Sequence, residues 1–416
     1  MIADLIIVNA SELLPMSSGK NEPVSGKDLN NLTIIKNGAV AIKDGQILAV
    51  NTTENILKDF QSTNIINAEN KTVMPGFVDC HTHLVFAGTR EHEFVGRIEK
   101  QRNSKNTVME GGIKFTVKHT REAEKEELIS LAQKRLNTML KNGITSIEAK
   151  SGYGLNLENE LKILEINNEL NDLQDVEIVS TFLGAHSVPH GYNSREYTDI
   201  VVNEMIPHVA KLKLAKFCDV FCEAGFFSYQ QAELILTKAR EYGFLLKIHA
   251  DQLSNSYGAD LAAKLGAVSA DHLDYAYDDG LKAMAAKKVV GVLLPTISFS
   301  LDLNYPDARK MMEMNLPIAV STDFNPGAGY SESMAFVITT SCLKLKMLPM
   351  EALAAATINS AYACGIADKV GSLEAGKQAD IIILDAPNHT YIPYHYGINP
   401  VETVIKKGKI VVINKN

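Results

Sequence analysis

The sequence predicts an α/β protein: a (β/α)8 TIM-like barrel with a small β-sandwich domain built from both chain ends. In the middle of the chain, apolar strand-like runs alternate with amphipathic helical patterns. Near both ends, the apolar runs are short and are separated by turn residues, as in antiparallel sheets. We therefore expect residues 1–72 and 365–416 to form the composite β-sandwich and residues 73–364 to form the barrel.

The two β-rich ends are marked by their turns. Asp44-Gly45 separates two short apolar runs near the start, and Lys407-Gly408 lies at the predicted turn of a hairpin near the end. Both ends are β-like while the middle is not. The simplest arrangement pairs the ends with each other beside the barrel.

Eight apolar runs in the middle of the chain are the candidate barrel strands. They lie at residues 73–79, 144–149, 177–183, 216–221, 244–249, 267–270, 289–294 and 317–321. Helical patterns follow most of them, as at 123–140, where apolar side chains recur every four residues. Ser228 and Gln231 predict a capping box at the start of another helix. Eight such units over about 290 residues fit a barrel, whose usual size is ~250 residues, and a doubly wound open sheet is the alternative.

The composition excludes several classes of protein. The chain has 416 residues, 46% of them hydrophobic and 22% charged, so it can bury a large core. The net charge of −8 argues against nucleic acid or an anionic membrane as a partner, and no run approaches the roughly 18 apolar residues of a membrane span. Five cysteines without a CxxC pair favour a reducing compartment. We therefore expect a cytoplasmic protein.

Polar residues at the strand ends predict a metal site. The first run leads into His81-Thr82-His83, and residues two apart in an extended segment point to the same face. The fifth run ends at His249, and Asp323 follows the eighth. Since the carboxyl ends of barrel strands share one face, three imidazoles and one carboxylate are expected to meet there. Such ligands suit zinc or ferrous iron.

Further polar residues follow the other strands. His272 is either catalytic or a support for other site residues, and Tyr153 either contacts a ligand or packs in its loop. His186 follows the third run. Glu148 and Glu223 are expected to orient other residues.

Several motifs carry a resemblance to a known family. The chain resembles the amidohydrolase superfamily in four stretches of sequence: VMPGFVDCHTH, HADQ, STDFNPG and SLEAGKQADIIILD. More narrowly, the chain resembles the imidazolonepropionase family of histidine degradation in the motifs HTHLVFAGTR, EAKSGYGL, FLGAHSVP, HADQLS, SADHLD and STDFNPG. These motifs run from residue 73 to 327, and the flanking β segments fit the family at both ends of the chain.

The resemblance implies a reaction, a cofactor and an assembly. The family opens 4-imidazolone-5-propanoate with water to give N-formimidoyl-L-glutamate, using one divalent metal ion, zinc or iron. The implied ligands are His81, His83, His249 and Asp323. Asp323 would accept the proton of the attacking water, while His272 or His186 would stabilise the oxyanion. A homodimer is also implied.

The resemblance also implies the substrate contacts. Arg90 falls where the family clamps the substrate carboxylate, which suits a guanidinium because its planar fork donates two parallel hydrogen bonds. The remaining positions implied to contact substrate or product are Tyr153, His186, Gln252, Asn325, Gly327 and Ala328. At position 252 the family carries Gln or Glu, and the amide present here cannot act as a base. At position 328 the family often carries Ser or Thr, so Ala328 lacks a hydroxyl contact.

Two other functions are compatible with parts of the pattern. A cytosine- or guanine-type deaminase of the same superfamily shares the histidines and the late aspartate. Such deaminases usually carry an acid three residues after the strand-five histidine, whereas this chain has Gln252 there, and Arg90 favours an acidic substrate. A catalytically inactive structural relative would be free to lose the four metal ligands, and all four are present.

Overall fold

The computed structural model describes residues 1–103 and 111–414. Its strands are β1 Leu5–Ala10, β2 Glu12–Leu13, β3 Gly38–Lys43, β4 Gln46–Thr52, β5 Ile65–Asn67, β6 Thr72–Pro75, β7 Phe77–Thr82, β8 Ile144–Lys150, β9 Glu177–Ala185, β10 Phe217–Cys222, β11 Leu245–Ala250, β12 Ser269–His272, β13 Val290–Leu293, β14 Ile318–Val320, β15 Ile381–Leu384, β16 Val401–Lys406 and β17 Lys409–Ile413.

The helices lie mostly between the barrel strands. They are α1 Thr53–Asp59, α2 Glu91–Asn103, α3 Ile113–Glu122, α4 Lys125–Lys141, α5 Leu157–Leu173, α6 Ser194–Ile200, α7 Ile206–Leu212, α8 Tyr229–Glu241, α9 Gly258–Leu265, α10 Asp278–Lys287, α11 Pro295–Leu301, α12 Ala308–Glu313, α13 Met334–Lys344, α14 Pro349–Ala354, α15 Ser360–Ala363 and α16 Tyr391–Tyr394. Short 3-10 or π-helical segments occur at Gly26–Asn30, Val201–Met205 and Ala355–Asn359.

The eight strands β7 to β14 form one parallel sheet in which the spatial order follows the chain order. A doubly wound sheet would reverse its strand order at a switch point, so that alternative is wrong. The sheet closes where Thr82 bridges Phe324, and the backbone N–H of His83 donates to the carbonyl of Phe324 at 2.8 Å. The predicted barrel is therefore confirmed.

Side chains complete this seam between the first and last barrel strands. The buried Asp79 carboxylate accepts hydrogen bonds from the hydroxyls of Ser321 and Thr322 and, at 3.0 Å, from the backbone N–H of Thr322. The Ser321 hydroxyl in turn accepts from the backbone N–H of His81 at 2.8 Å. Thus the closing strands are joined largely through side chains, at the end of the barrel where the metal ligands were predicted.

The first predicted strand, 73–79, divides into two strands at Gly76. Residues before the break form β6, which pairs antiparallel with β15 near the other chain end, and residues after it form β7 of the barrel. A Cβ at Gly76 would lie 2.4 Å from side-chain atoms of Thr145, so only glycine allows this close passage between the two sheets. The expected domain limit at residue 73 falls inside β6, and the limits themselves stay a prediction.

Both chain ends build the β-sandwich. Its sheets have the strand orders β4-β3-β1-β5 and β17-β16-β15-β6-β2. Buried apolar side chains of the two sheets share one cluster, whose members include Ile7, Leu13, Val40, Ile381 and Ile405. Residues from positions 5–73 and 373–405 thus bury one another, which confirms the predicted composite architecture.

Local sequence signals account for several helices. At the start of α8, the hydroxyl of Ser228 accepts from the backbone N–H of Gln231, and the Gln231 side chain accepts from the backbone N–H of Ser228 at 2.9 Å, so the predicted capping box is confirmed. The four-residue spacing predicted at 123–140 corresponds to α4, which buries Leu128, Leu136 and Leu140. In the part of the chain that the structure describes, no helix combines the length and apolarity needed to cross a bilayer.

Candidate metal centre and active site

Three imidazoles and one carboxylate meet at the carboxyl end of the barrel. His81 and His83 extend from the end of β7, His249 lies in β11, and Asp323 follows β14. The ring centroid of His81 is 5.5 Å from that of His83 and 4.6 Å from that of His249. An oxygen of Asp323 lies 3.5 Å from Nε2 of His81 and 3.6 Å from Nε2 of His83. The four residues predicted from the strand ends are thus brought together.

The chemistry of this cluster fits a divalent cation. Burial lowers the pKa of His81 and of His83 well below the usual value for histidine, which leaves both imidazoles neutral and able to coordinate. Nε2 of His81 and Nε2 of His249 are buried without a hydrogen-bond partner among the described residues. One ligand atom from each of His81, His83 and His249 lies within 4.8 Å of the others. Buried, unpartnered nitrogens that converge in this way are suited to zinc or iron.

Two buried carboxylates hold two of the histidines from behind. Oδ2 of Asp271 lies 2.7 Å from Nδ1 of His81. Asp219 accepts the backbone N–H of His249 through Oδ1 at 3.1 Å, and its Oδ2 lies 3.0 Å from Nδ1 of the same histidine. The carboxylate at Nδ1 of His81 favours a proton there, which leaves its Nε2 lone pair free for a metal. At His249 the hydrogen bond from Asp219 is to the backbone N–H, and Nδ1 lies close to the carboxylate without forming a hydrogen bond. The predicted site residues do not include these two aspartates.

The backbone is strained at two site positions. His272 has φ 81°, followed by Leu273 with φ 66°, and Asp323 has φ 46°. Non-glycine residues rarely adopt this region, and it concentrates at functional sites. Burial raises the pKa of Asp323 to about 7, while Nδ2 of Asn325 donates to its Oδ1 at 3.0 Å. The hydrogen bond from Asn325 therefore holds Asp323 in a fixed orientation.

A cavity of about 330 Å³ opens above this cluster. Its lining includes eleven of the twelve predicted site residues: His83, Arg90, Tyr153, His186, His249, Gln252, His272, Asp323, Asn325, Gly327 and Ala328. The twelfth, His81, is fully buried beneath the cavity. The volume suits a small heterocyclic molecule.

Aromatic side chains form one wall of the cavity. The ring of His186 stacks on His83 with centroids 4.9 Å apart and planes at 16°, and Tyr153 lies 5.4 Å from His186. Burial lowers the pKa of His186 to about 3, so this imidazole is neutral. Its Nδ1 lies 3.1 Å from the carbonyl of Gly152, which places the proton on Nδ1. Nε2 of His186 is consequently an acceptor and not a donor.

Arg90 also lines the cavity and is already paired. Its Nε and Nη2 donate to the two carboxylate oxygens of Glu93 at 2.8 and 2.7 Å. Glu93 also accepts the backbone N–H of Gly112 at 2.6 Å. Nη1 of Arg90 makes no bond to Glu93 and lies against Gly327, where an added Cβ would approach it to 2.6 Å. Arg90 is among the residues predicted from the sequence and Glu93 is not, although the three-residue spacing on a helical segment is a signal for such a pair.

The loop after β14 is braced by its own polar groups. Oδ1 of Asn325 accepts the backbone N–H groups of Gly327 at 2.8 Å and of Ala328 at 2.9 Å. Arg97, a second guanidinium in the cavity lining that the sequence analysis missed, donates to the carbonyl of Gly327 at 3.1 Å. These bonds fix the loop that carries three of the predicted contact positions.

The two glutamates expected to orient other residues do so. Glu223 accepts the backbone N–H of Leu253 at 2.8 Å and a short hydrogen bond from the Ser254 hydroxyl, and so holds the loop that carries Gln252. Glu148 is fully buried and accepts from Nζ of Lys150 at 2.7 Å. Both glutamates thus hold neighbouring groups by hydrogen bonds, and the prediction that they take no part in the reaction stays a prediction.

The fold and this site define a class of protein. The chain matches the model of the Amidohydrolase family over residues 72–411 and belongs to that family. A protein named imidazolonepropionase from Geobacillus sp. (strain WCH70) is 44% identical over 98% of both chains, and one from Alkaliphilus oremlandii (strain OhILAs) is 45% identical over 100% of both. Within the amidohydrolases, the chain therefore belongs to the imidazolonepropionase family and is a hydrolase, not an inactive structural relative.

Solved structures of low sequence identity share the fold. A guanine deaminase from E. coli covers 100% of this chain and 99% of its own with a TM-score of 0.69 at 14% identity. A zinc-complexed mutant of atrazine chlorohydrolase from Arthrobacter aurescens TC1 covers 99% of this chain and 95% of its own with a TM-score of 0.74 at 12% identity. At these identities the likeness shows the common architecture alone.

Proposed function

We propose that the chain opens 4-imidazolone-5-propanoate with water to N-formimidoyl-L-glutamate, a step of histidine catabolism. The observation that carries the proposal is the cavity itself, which has the three-histidine, one-aspartate donor set at its floor and Arg90 on its wall. A small ring with a carboxylate tail can place its ring at the metal donor set and its carboxylate at Arg90. The names of the 44–45% identical relatives support the same assignment.

His81, His83, His249 and Asp323 would hold one divalent ion, zinc or iron, whose chemistry when bound is to polarise water and a carbonyl group. Asp323 accepts the proton of the attacking water as the water oxygen bonds to the ring carbonyl carbon. The ring carbon–nitrogen bond then breaks, and the leaving nitrogen receives the proton that Asp323 took from the water. Proton transfer of this kind contributes ~10²–10⁴ in rate.

The developing negative charge on the carbonyl oxygen needs a hydrogen-bond donor. His186 is a poor candidate because its proton lies on Nδ1 beside the carbonyl of Gly152. His272 lines the cavity, and its Nε2 lies 3.9 Å from the Asp323 carboxylate. We therefore favour His272 as the donor to the oxyanion, with His186 and Tyr153 packing against the substrate ring.

Arg90 would bind the substrate carboxylate through donors that Glu93 leaves free. Nη1, which makes no bond to Glu93 and lies beside Gly327, carries two N–H groups. Gln252, Asn325, Gly327 and Ala328 complete the wall around the substrate. As an amide, Gln252 can orient a carbonyl or a water by hydrogen bonding and takes no proton.

We further propose a cytoplasmic location. The five cysteines of the chain all lie in the described residues and are free thiols, four of them buried. This cysteine usage suits a reducing compartment. The expected homodimer stays a prediction from the family resemblance.

The test is to incubate metal-loaded protein with 4-imidazolone-5-propanoate and to follow the product by mass spectrometry. We expect a gain of one water, loss of activity with a chelator, and recovery when zinc or iron is added back. A His249→Ala variant serves as the inactive control. No turnover by a protein that holds stoichiometric metal would contradict the proposal, and release of ammonia from an aminated heterocycle would favour a deaminase.

A further inference from the structure

Lys150 is buried at the centre of the barrel, behind the metal centre. It is the last residue of β8, and its side chain is fully inaccessible to solvent. Nζ lies 2.7 Å from Glu148 Oε1, 2.7 Å from Asp219 Oδ2 and 3.5 Å from Asp271 Oδ2. A lysine ammonium has three donors, and three carboxylate oxygens face it here. Although burial lowers its pKa, Asp219, Glu148 and Asp271 raise the pKa of Lys150 well above its usual value, so the group stays charged.

Two of these contacts involve the same oxygen atoms that face the histidines. Asp219 Oδ2 lies 2.7 Å from Nζ of Lys150 and 3.0 Å from Nδ1 of His249. Asp271 Oδ2 lies 3.5 Å from the same Nζ and 2.7 Å from Nδ1 of His81. The ammonium of Lys150 therefore contacts one oxygen of Asp219 and one oxygen of Asp271, and each of these oxygens also lies beside Nδ1 of a histidine. The two histidines come from different strands of the barrel.

We propose that Lys150 is a positioning residue that holds Asp219 and Asp271 in register, so that His249 and His81 present Nε2 together to one metal ion. Without the ammonium, two buried carboxylates would repel each other and would each need another donor. Either carboxylate could then rotate away from the Nδ1 it faces. His81 would then lose the hydrogen-bond partner of its Nδ1, which fixes its tautomer and ring orientation. His249 would lose the carboxylate that accepts its backbone N–H and lies beside its Nδ1.

A second buried lysine provides the matched control. Lys247 lies on β11, between the strands that carry Asp219 and Asp271, and is also fully buried. Its Nζ donates to the carbonyls of Cys80 at 3.0 Å and Ala363 at 3.4 Å and lies 3.7 Å from Glu148. Among the described residues, Asp219 and Asp271 form no ion pair with it. Removing Lys247 should thus disturb the barrel core without releasing the two aspartates.

The experiment compares Lys150→Met, Lys150→Gln and Lys247→Met with the unsubstituted protein. For each we would measure the dissociation constant for Co(II) by chelator competition, the visible absorption of the Co(II) protein, and the Tm of the metal-free protein. The glutamine variant keeps a hydrogen-bond donor, and it replaces the methionine variant in these measurements if the latter does not fold. The absorption bands report the geometry of the metal ligands, which a loss of stability alone would leave unchanged.

We expect both Lys150 variants to bind Co(II) about 10- to 100-fold more weakly and with shifted absorption bands, since outer partners of ligands have effects of this size. We expect Lys247→Met to lower Tm while its affinity stays within about threefold of the unsubstituted protein. Unchanged affinity and bands in the Lys150 variants, or an equal loss of affinity in Lys247→Met, would overturn the inference.

This inference rests on the proposed metal centre, and the two can fail separately. If the unsubstituted protein binds no Co(II), the proposed function fails and the role of Lys150 fails with it. If the unsubstituted protein binds Co(II) and turns over substrate while the Lys150 variants bind it equally well, only the inference on Lys150 is wrong.

Discussion

The floor and the rim of the cavity are built in different ways. At the floor, His81, His249 and their carboxylate partners project from barrel strands and are almost completely buried. At the rim, Gln252, Asn325 and Ala328 lie on loops and are partly exposed. Strands fix the positions of reacting groups closely, whereas loops can change their side chains without disturbing the core. The difference fits the proposed roles, in which the floor binds metal and transfers protons and the rim recognises the substrate.

The strongest test of the floor is His249→Ala. Because a ligand nitrogen is removed, we expect the loss of bound metal together with a fall of ~10³-fold or more in kcat/KM. The measurements are metal content and steady-state kinetics. His208→Ala, at an exposed histidine on α7, is the control and should behave like the unsubstituted protein. A variant without metal that remains active would refute the assignment of the floor.

Asp323→Asn separates metal binding from proton transfer. The amide keeps an oxygen that can coordinate but accepts no proton, so some metal should be retained while kcat falls by ~10²–10⁴. Metal content and kcat are measured on the same preparation. A kcat within tenfold of the unsubstituted protein would show that the proton goes elsewhere.

Arg90→Ala tests the rim. Hydrogen bonds to a charged group contribute about 1.5–3 kcal/mol, so KM should rise about 10- to 100-fold with little change in kcat. A ring analogue without the propionate should be processed equally well by the variant and the unsubstituted protein. If the variant also loses activity on that analogue, Arg90 acts on the ring and not on the carboxylate.

Ala328→Ser should give the smallest effect and the finest test of the rim. A hydroxyl that reaches the substrate ring would add about 0.5–1.5 kcal/mol of binding, so KM should fall about two- to tenfold. Metal content should be unchanged, because the side chain lies on the loop and not on the floor. An unchanged KM would remove position 328 from the set of ring contacts.

Much of the floor could be predicted from sequence because strand geometry is regular. His81 and His83 are two residues apart on one extended segment, and His249 and Asp323 occur at the same end of their own strands. Period-two alternation and the common direction of barrel strands are enough to bring these four together. The closure of the sheet and the sandwich from both ends follow from the same pattern of apolar runs.

Lys150 and its two aspartates were missed because a charged residue in a sequence usually indicates a position that is exposed to solvent. Asp219 lies within a predominantly apolar strand, which was an available signal, whereas the strands of Lys150 and Asp271 mix polar and apolar residues. The pairing between them depends on three strands far apart in the chain, so local spacing does not reveal it. The break at Gly76 was missed for a similar reason, since the neighbouring Thr145 that requires glycine is distant in sequence.

The seam of the barrel has a consequence for how the protein is made. His81 and His83 lie on the first barrel strand, and Asp323, across the seam, follows the last. During synthesis on the ribosome, the histidines are made some 240 residues before their partner, so the donor set stays incomplete until residue 323 has been added. Likewise, β6 cannot pair with β15 until residues 381–384 have been made. Loading of the proposed metal ion through the full donor set therefore has to follow the synthesis of Asp323, and a chain terminated before that residue would lack it.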